Sequence, residues 1–86
     1  MKVAKSLSGY LVTLEITSSK QAVEPTLRIV EEVSSAKPDG IKAKLYTPGA
    51  AETKYSRAGK MRFSALKPGV YRIEIEEIGT IRLDIQ

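Results

Sequence analysis

The residues with the clearest potential for chemistry are cations placed near an aromatic ring. Lys42, Lys44 and Tyr46 alternate along one segment, so an extended strand would direct all three side chains to one face. Four more cations follow along the chain: Lys54, Arg57, Lys60 and Arg62. If the two groups lie side by side, they form a basic surface that can hold a phosphate backbone and stack a base. These seven residues are the candidate nucleic-acid or anion site, centred on Lys42, Lys44, Tyr46 and Arg62.

The carboxylates are not spaced for catalysis or metal binding. Glu31-Glu32 and Glu76-Glu77 are adjacent in sequence, and neighbouring residues of a strand face opposite sides, so neither pair forms the facing acid and base of a glycosidase. Asp39 lacks the Asp-x-Asp spacing of a calcium loop and suits a turn. We interpret these carboxylates as solvated charges and expect neither a metal nor a cofactor.

Nucleophilic catalysis lacks its usual residues. The chain contains no Cys and no His, which excludes disulfides, thiolate chemistry and the common zinc frameworks. Ser56 and Ser64 have no imidazole to activate them. The glycines occur singly, so no phosphate-binding loop is present. The sequence therefore predicts a protein without enzymatic activity.

The composition predicts one globular domain spanning residues 1–86. Of these residues 42% are hydrophobic and 28% charged, as in ordinary globular proteins. No apolar run approaches the roughly 18 to 20 residues of a membrane span. The N-terminus lacks the continuous apolar block of a secretory signal. We expect a cytoplasmic protein if the chain is full length, and an extracellular one if it is an excised domain.

The charged residues suggest two hypotheses about partner and source. The net charge of +4 permits attraction to nucleic acid, although proteins that bind none often carry as much. The chain has no Asn, and its charge is carried mainly by Lys, Arg and Glu, a composition often found in heat-adapted proteins. A thermophilic source is the hypothesis that follows.

Alternation of polar and apolar residues predicts the first elements. A strand over Gly9 to Thr17 places Tyr10, Val12, Leu14 and Ile16 on one face, and the polar stretch Ser18 to Gln21 turns the chain. The stretch Pro25 to Val33 fits two periods. Leu27, Ile29 and Val33 suit a strand, whereas Leu27, Val30 and Val33 suit a helix that begins at Pro25. Its β-branched residues favour the strand.

Turn residues divide the middle of the chain. Lys37-Pro38-Asp39-Gly40 forms a turn in which Gly40 takes a positive φ, and a strand over Ile41 to Thr47 ends at Pro48-Gly49. Two further segments, Glu52 to Arg57 and Met61 to Leu66, then predict a hairpin. Tyr55 would lie opposite Phe63 in this hairpin and fix its register.

The C-terminal segment predicts a final hairpin. A two-residue loop at Ile78-Gly79 would place Ile75 opposite Arg82 and mix the buried and solvent faces. A three-residue loop, Glu77-Ile78-Gly79, separates the faces and puts Gly79 at the left-handed loop position. The predicted pairs are Ile75 with Ile81, Ile73 with Leu83, Tyr71 with Ile85, Glu74 with Arg82, and Arg72 with Asp84.

These elements predict an all-β fold. About seven short antiparallel strands with regularly spaced turns are typical of an immunoglobulin-like or transthyretin-like sandwich. The alternative is an α+β domain with one helix near Pro25 to Ser35.

One stretch combines a glycine, an aromatic strand and a Leu-x-Pro-Gly-x-Tyr corner. The residues are Gly59, Phe63, Leu66, Pro68, Gly69 and Tyr71. In this pattern the chain from Gly40 to Ile75 resembles the carboxypeptidase regulatory-like and collagen-adhesin B-type domains, which are transthyretin-like sandwiches. The resemblance implies an accessory role as a spacer, adhesive module or partner-binding unit. The Lys-to-Asn isopeptide bond of the adhesin branch is not carried over, because the chain has no Asn.

The corner also has a physical explanation. Pro68 and Gly69 make a tight turn, and Tyr71 beyond it can bury its ring while its hydroxyl bonds a nearby backbone group.

The sequence thus predicts a structural or protein-interaction module that contacts an unknown protein through an exposed strand edge. The alternative is a small basic protein that binds nucleic acid.

Overall fold

The computed structural model describes residues 2–18 and 23–85, and these residues form eight antiparallel strands in two sheets. The strands are β1 (Lys2–Leu7), β2 (Tyr10–Ser18), β3 (Val23–Glu31), β4 (Lys42–Thr47), β5 (Ala50–Tyr55), β6 (Lys60–Arg62), β7 (Gly69–Ile75) and β8 (Gly79–Ile85). The first sheet has the order β1-β2-β3-β6, and the second has the order β5-β4-β7-β8. The all-β prediction is confirmed, with eight described strands in place of about seven.

The core lies between the two sheets and is built by alternate residues of the strands. Buried residues come from both sheets, and Leu27, Ile29, Leu45 and Ile73 are almost completely enclosed. The intervening residues face solvent, as a pleated sheet with one buried face requires. The alternation of apolar and polar side chains along each strand therefore gives each sheet one buried face, and the two buried faces pack together as a sandwich.

The ambiguous segment from Pro25 is strand β3, so the helix alternative near Pro25 to Ser35 is wrong. Leu27 and Ile29 are enclosed in the core, while Arg28 between them is exposed. Val33, which both the strand pattern and the helix pattern placed with Leu27, lies beyond the end of β3 and is 95% exposed. Along β3, every second residue is buried, which is the pattern of a strand. The β-branched residues of this segment favoured the same conformation.

Strand β1 has no counterpart among the strands predicted from the sequence. It joins β2 through a two-residue turn in which Ser8 and Gly9 both have positive φ, +49° and +83°. Such turns match the twist of a hairpin. Most of β1 is exposed, as is most of β5, so neither shows the apolar alternation of the more buried strands. The predicted turn at Ser18 to Gln21 lies, beyond Ser18, outside the described residues.

The predicted hairpin of Glu52 to Arg57 with Met61 to Leu66 is wrong. Tyr55 lies opposite Lys42 of β4, whereas β6 pairs with β3 in the other sheet, with Met61 opposite Leu27. The chain therefore crosses between the sheets at residues 56–59. Met61 and Phe63 are buried in the core. Their burial, rather than a Tyr55–Phe63 contact, determines where this segment pairs.

The final hairpin forms in a register two residues away from the predicted one. Ile75 lies opposite Gly79, and the loop comprises residues 76–78. Glu77 occupies the left-handed loop position predicted for Gly79, with a φ of +64°. Gly79 is the first residue of β8, and its φ is also positive, at +155°. A shift of two residues keeps every side chain on its face, so alternation cannot detect it. The observed pairs are Ile73 with Ile81, Tyr71 with Leu83, Gly69 with Ile85, Arg72 with Arg82, Val70 with Asp84, and Glu74 with Thr80.

The hydrogen bond predicted for Tyr71 at this corner is confirmed, whereas Pro68 forms a bend rather than a tight turn and Gly69 is the first residue of β7. The Tyr71 hydroxyl donates a hydrogen bond of 2.6 Å to the carbonyl oxygen of Lys67, and the residue is only 7% exposed. The ring therefore adds to the core while its polar atom is satisfied. This corner anchors the start of β7.

Replacing Tyr71 with Phe should lower the free energy of unfolding by about 1 kcal/mol, because the Lys67 carbonyl loses its donor. Urea unfolding followed by circular dichroism measures the change. Tyr55→Phe is the matched control, because Tyr55 is exposed and its substitution should have little effect. An equal effect of both substitutions would contradict the role of the corner hydrogen bond.

Candidate functional site

The seven predicted contact residues do not form one surface. Lys42, Lys44 and Tyr46 alternate with the buried Ala43 and Leu45, so they share the outer face of the second sheet. The other four residues lie elsewhere. Lys54 is on edge strand β5, Arg57 is in the crossover, and Lys60 and Arg62 are on β6 of the first sheet.

The β4 part of this set is surrounded by carboxylates. Lys44 lies directly opposite Glu74 of β7. Glu74 and Glu76 line a shallow depression together with Lys42, Lys44 and Tyr46. Two lysines and two glutamates balance the formal charge of this depression. It therefore offers little net attraction to a phosphate backbone.

Tyr46, the residue proposed for base stacking, is already engaged. The guanidinium carbon of Arg72 lies 4.6 Å from the centroid of the Tyr46 ring, within the range of a cation–π contact. A hydrogen bond to the Glu74 carboxylate raises the pKa of the Tyr46 hydroxyl. The Arg72 Nε atom also lies 3.5 Å from the Glu74 Oε1 atom. A base stacking on the covered ring face would have to displace Arg72.

A separate group of cations surrounds a small depression beside β6. We call it the basic cluster; its members are Arg28, Lys37, Arg57 and Lys60. Lys60 lies opposite Arg28 in the β3–β6 pair. Two carboxylates lie beside this depression: Glu15 is 3.6 Å from the Nε atom of Arg28, and Asp39 accepts a hydrogen bond from the Ala58 amide in the wall of the depression. The four cations outnumber them. The basic cluster therefore carries a local excess of positive charge.

Sequence reasoning identified Arg57 and Lys60 of the basic cluster but missed Arg28 and Lys37. Arg28 belongs to the basic cluster because β3 pairs with β6, and no local sequence pattern predicts that pairing. Lys37 enters because the loop before β4 bonds the crossover: the Gly59 amide donates to the carbonyl oxygen of Pro38 at 2.8 Å. The two missed members come from long-range contacts.

Of the four edge strands in the described part of the chain, three carry features that oppose pairing with another chain. Edge strand β6 has only three residues. Edge strand β1 places Lys5 on its core side, opposite Val12. Edge strand β5 does the same with Glu52 and Lys54, opposite Leu45 and Ala43. Short strands and inward-pointing charges are common protection against strand addition.

Edge strand β8 lacks these features. It is seven residues long, contains no proline, and places only apolar side chains on its core side. Those side chains, Ile81, Leu83 and Ile85, are all buried. Of the described edges, β8 is therefore the one best suited to accept another strand.

The free hydrogen-bonding groups of β8 follow from the register. The Glu76 amide donates to the carbonyl oxygen of Lys42, so the even-numbered residues of β7 direct their backbone groups to β4. The odd-numbered residues therefore face β8, where their partners are also odd-numbered. The amides and carbonyls of Thr80, Arg82 and Asp84 consequently point away from the sheet.

Within residues 2–18 and 23–85, no three or more of the metal-binding residue types gather into a cluster. In the same part of the chain, no helix has the length and apolar character needed to cross a bilayer. Comparison of the chain with protein-family models, curated proteins and solved structures finds no match.

Proposed function

We propose that this protein is a non-enzymatic interaction module that adds an extended segment of a protein partner to β8. The single observation that carries the proposal is the unprotected edge of β8. It offers outward backbone groups at Thr80, Arg82 and Asp84. Backbone hydrogen bonds would supply affinity, and side chains at alternate positions would supply specificity.

The size of the edge suits a weak and reversible contact. Seven residues on one strand provide much less contact area than the roughly 1,200 Å² or more of a stable interface. Binding in the micromolar range is the expectation. Such a contact fits an accessory role as a spacer or partner-binding unit.

The proposal includes membership of the transthyretin-like sandwiches. The corner at Pro68, Gly69 and Tyr71 supports it, because the Tyr71 hydroxyl bonds the backbone at Lys67. Two stacked antiparallel sheets are compatible with this assignment. Accessory domains of that kind act through their surfaces rather than through a catalytic centre.

Substituting Arg82 with proline should abolish strand addition without unfolding the protein. The Arg82 amide faces outward, so β8 loses no hydrogen bond to β7, and proline is tolerated at such an edge position. Ten-residue extended peptides of random sequence would be selected on the wild-type protein. The selected peptides should slow hydrogen exchange at Thr80, Arg82 and Asp84, and should lose binding to Arg82→Pro.

The control for this selection is Ala51→Pro on the opposite edge of the same sheet, with circular dichroism checking that each variant is folded. Peptides that bind Arg82→Pro as tightly as the wild type would contradict the proposal. So would a selection in which no peptide protects the β8 amides.

The second candidate function is binding to nucleic acid, and the basic cluster favours it. Four cations surround one depression, and Arg62 follows Lys60 on the same face of β6. Glu15 and Glu24 line a neighbouring depression together with Arg28, Lys60 and Arg62, so carboxylates offset part of the charge here too. Cations still outnumber carboxylates on this side, whereas two glutamates balance the two lysines beside Tyr46. A phosphate backbone would be expected to contact the β6 side.

Charge reversal distinguishes the two basic surfaces. Lys60→Glu with Arg62→Glu should abolish binding to single- or double-stranded oligonucleotides at low salt, whereas Lys42→Glu with Lys44→Glu should weaken it much less. Fluorescence anisotropy at low and physiological salt measures both effects. Binding should fall steeply with salt. No binding at low salt, or an equal loss in both double variants, would contradict this candidate.

A further inference from the structure

We propose that the partner strand on β8 is the β8 strand of a second copy of this chain. The two strands would run antiparallel about a twofold axis at Leu83, joining the second sheets of both copies. The inference rests on the proposed function, since it requires that β8 accept a strand. It adds the identity of the partner and the register of the contact.

Backbone geometry limits the possible registers. Outward groups belong to Thr80, Arg82 and Asp84, so hydrogen-bonded pairs must join an even-numbered residue to another even-numbered residue. Centring the pair on Arg82 places the Arg82 side chains of the two chains opposite each other. Centring it on Asp84 places two carboxylates together. Centring it on Ile81 pairs Arg82 with Thr80 and leaves Asp84 opposite residue 78, which lies before β8 begins. Centring it on Leu83 avoids both repulsions and pairs the two opposite charges, so it is the register we infer.

The Leu83-centred register creates two identical ion pairs. Arg82 of each copy lies opposite Asp84 of the other, on the solvent face of the joined sheet. On the core side, Leu83 meets its own copy, and Ile81 lies opposite Ile85. A self-complementary patch of this kind is what a twofold dimer requires. Opposite charges and apolar pairs across neighbouring strands are both favourable.

Within residues 2–18 and 23–85 of a single chain, Arg82 and Asp84 have no ionic partner. Within the β7–β8 hairpin, Arg82 lies directly opposite Arg72, and like charges in that position repel. Arg72 is held by Tyr46 and Glu74. Asp84 of a second copy would supply the counter-charge that Arg82 lacks.

Dimerisation would also remove the least protected edge of the sandwich. A twofold pairing closes on itself, because each β8 can accept only one strand on its free side. The remaining edges, β1, β5 and β6, have the protecting features described above. The contact therefore predicts a dimer rather than a growing filament.

Two charge reversals test the register. Arg82→Glu places two carboxylates opposite each other at both pairs, and Asp84→Lys places two cations there. Each variant alone should dimerise about tenfold more weakly than the wild type. An equimolar mixture should form a heterodimer, because the carboxylates of one chain then face the cations of the other. Sedimentation velocity over a concentration series, with one chain isotope-labelled for native mass spectrometry, measures both effects.

Two controls accompany the mixing experiment. Lys2→Glu makes the same change in charge as Arg82→Glu at an exposed position on β1 of the other sheet, and it should dimerise like the wild type. Thermal unfolding of Arg82→Glu checks the fold; its stability should not fall, because the substitution replaces the repulsion between Arg72 and Arg82 by an attraction.

The outcomes separate this inference from the proposed function. A protein that stays monomeric at every concentration, while selected peptides still protect the β8 amides, overturns the dimer alone. A dimer that neither charge reversal weakens overturns the Leu83-centred register. If neither self-association nor any peptide protects these amides, the proposed function is overturned as well.

Discussion

Replacing Gly59 with alanine should lower the free energy of unfolding by about 3 kcal/mol or more. A Cβ atom at this position would lie 2.3 Å from the carbonyl oxygen of Ile29, far inside any allowed contact. The φ of +73° is itself unfavourable for a residue with a side chain. The backbone must shift, and the 2.7 Å hydrogen bond from the Ile29 amide to the Gly59 carbonyl would be lost. Urea unfolding measures the change.

Gly49→Ala is the matched control for this prediction. Gly49 also has a positive φ, +88°, but no atom lies within 4 Å of the Cβ position. Its substitution should therefore lower stability by only about 1 kcal/mol, through backbone strain alone. Equal losses at Gly49 and Gly59 would mean that close packing against Ile29 contributes nothing.

The crossover at Gly59 links the stability of the fold to the second candidate function. It carries the chain from β5 to β6, and it places Arg57 and Lys60 around the depression of the basic cluster. A larger residue at Gly59 would displace β6 from β3, where Lys60 lies opposite Arg28. The spacing of these cations therefore depends on a glycine that is not itself charged.

Strand type and side-chain face could be read from the sequence because both depend on local alternation. Val12, Leu14 and Ile16 of β2 alternate with polar residues, and the structure buries all three. The corner at Tyr71 was also local, since its hydroxyl bonds a residue four positions earlier. Features of this kind need no knowledge of which strands are neighbours.

Pairing between strands could not be read in the same way. The pairing of β6 with β3 depends on the burial of Met61 and Phe63 against the opposite sheet, which no nearby residue reveals. The final hairpin shifted by two residues without changing any face, so the predicted contact of Arg82 with Glu74 became a contact with Arg72. Side-chain alternation reveals neither the partner of a strand nor a register shift of two residues.

For the candidate site as well, the features that depend on local alternation could be predicted, and those that depend on strand pairing could not. Alternation correctly placed Lys42, Lys44 and Tyr46 on one outward face. It did not predict that Glu74 and Arg72 of β7 would engage Tyr46, because they are neighbours only through the β4–β7 pairing. The unprotected edge of β8 likewise emerges only when the order of strands is known. Surfaces made by several strands require the topology.

Ser56 has a structural role that its sequence context does not reveal, since the sequence shows only a serine with no base to activate it. Its side chain is buried and joins the crossover to the loop before β4. The Ser56 hydroxyl donates a 2.8 Å hydrogen bond to the Pro38 carbonyl and accepts a 3.0 Å bond from the Ile41 amide. Its role is therefore structural.

Ser56→Ala should lower the free energy of unfolding by about 2 kcal/mol, because the partly buried Ile41 amide loses its acceptor. Ser64→Ala, at an exposed position, should change it little. Hydrogen exchange should report the same event locally, with faster exchange at the Ile41 amide in Ser56→Ala alone. Unchanged exchange at Ile41 would mean that the hydroxyl does not hold the two loops together. The backbone bonds between Ser56 and residues 40 and 41 would then be sufficient.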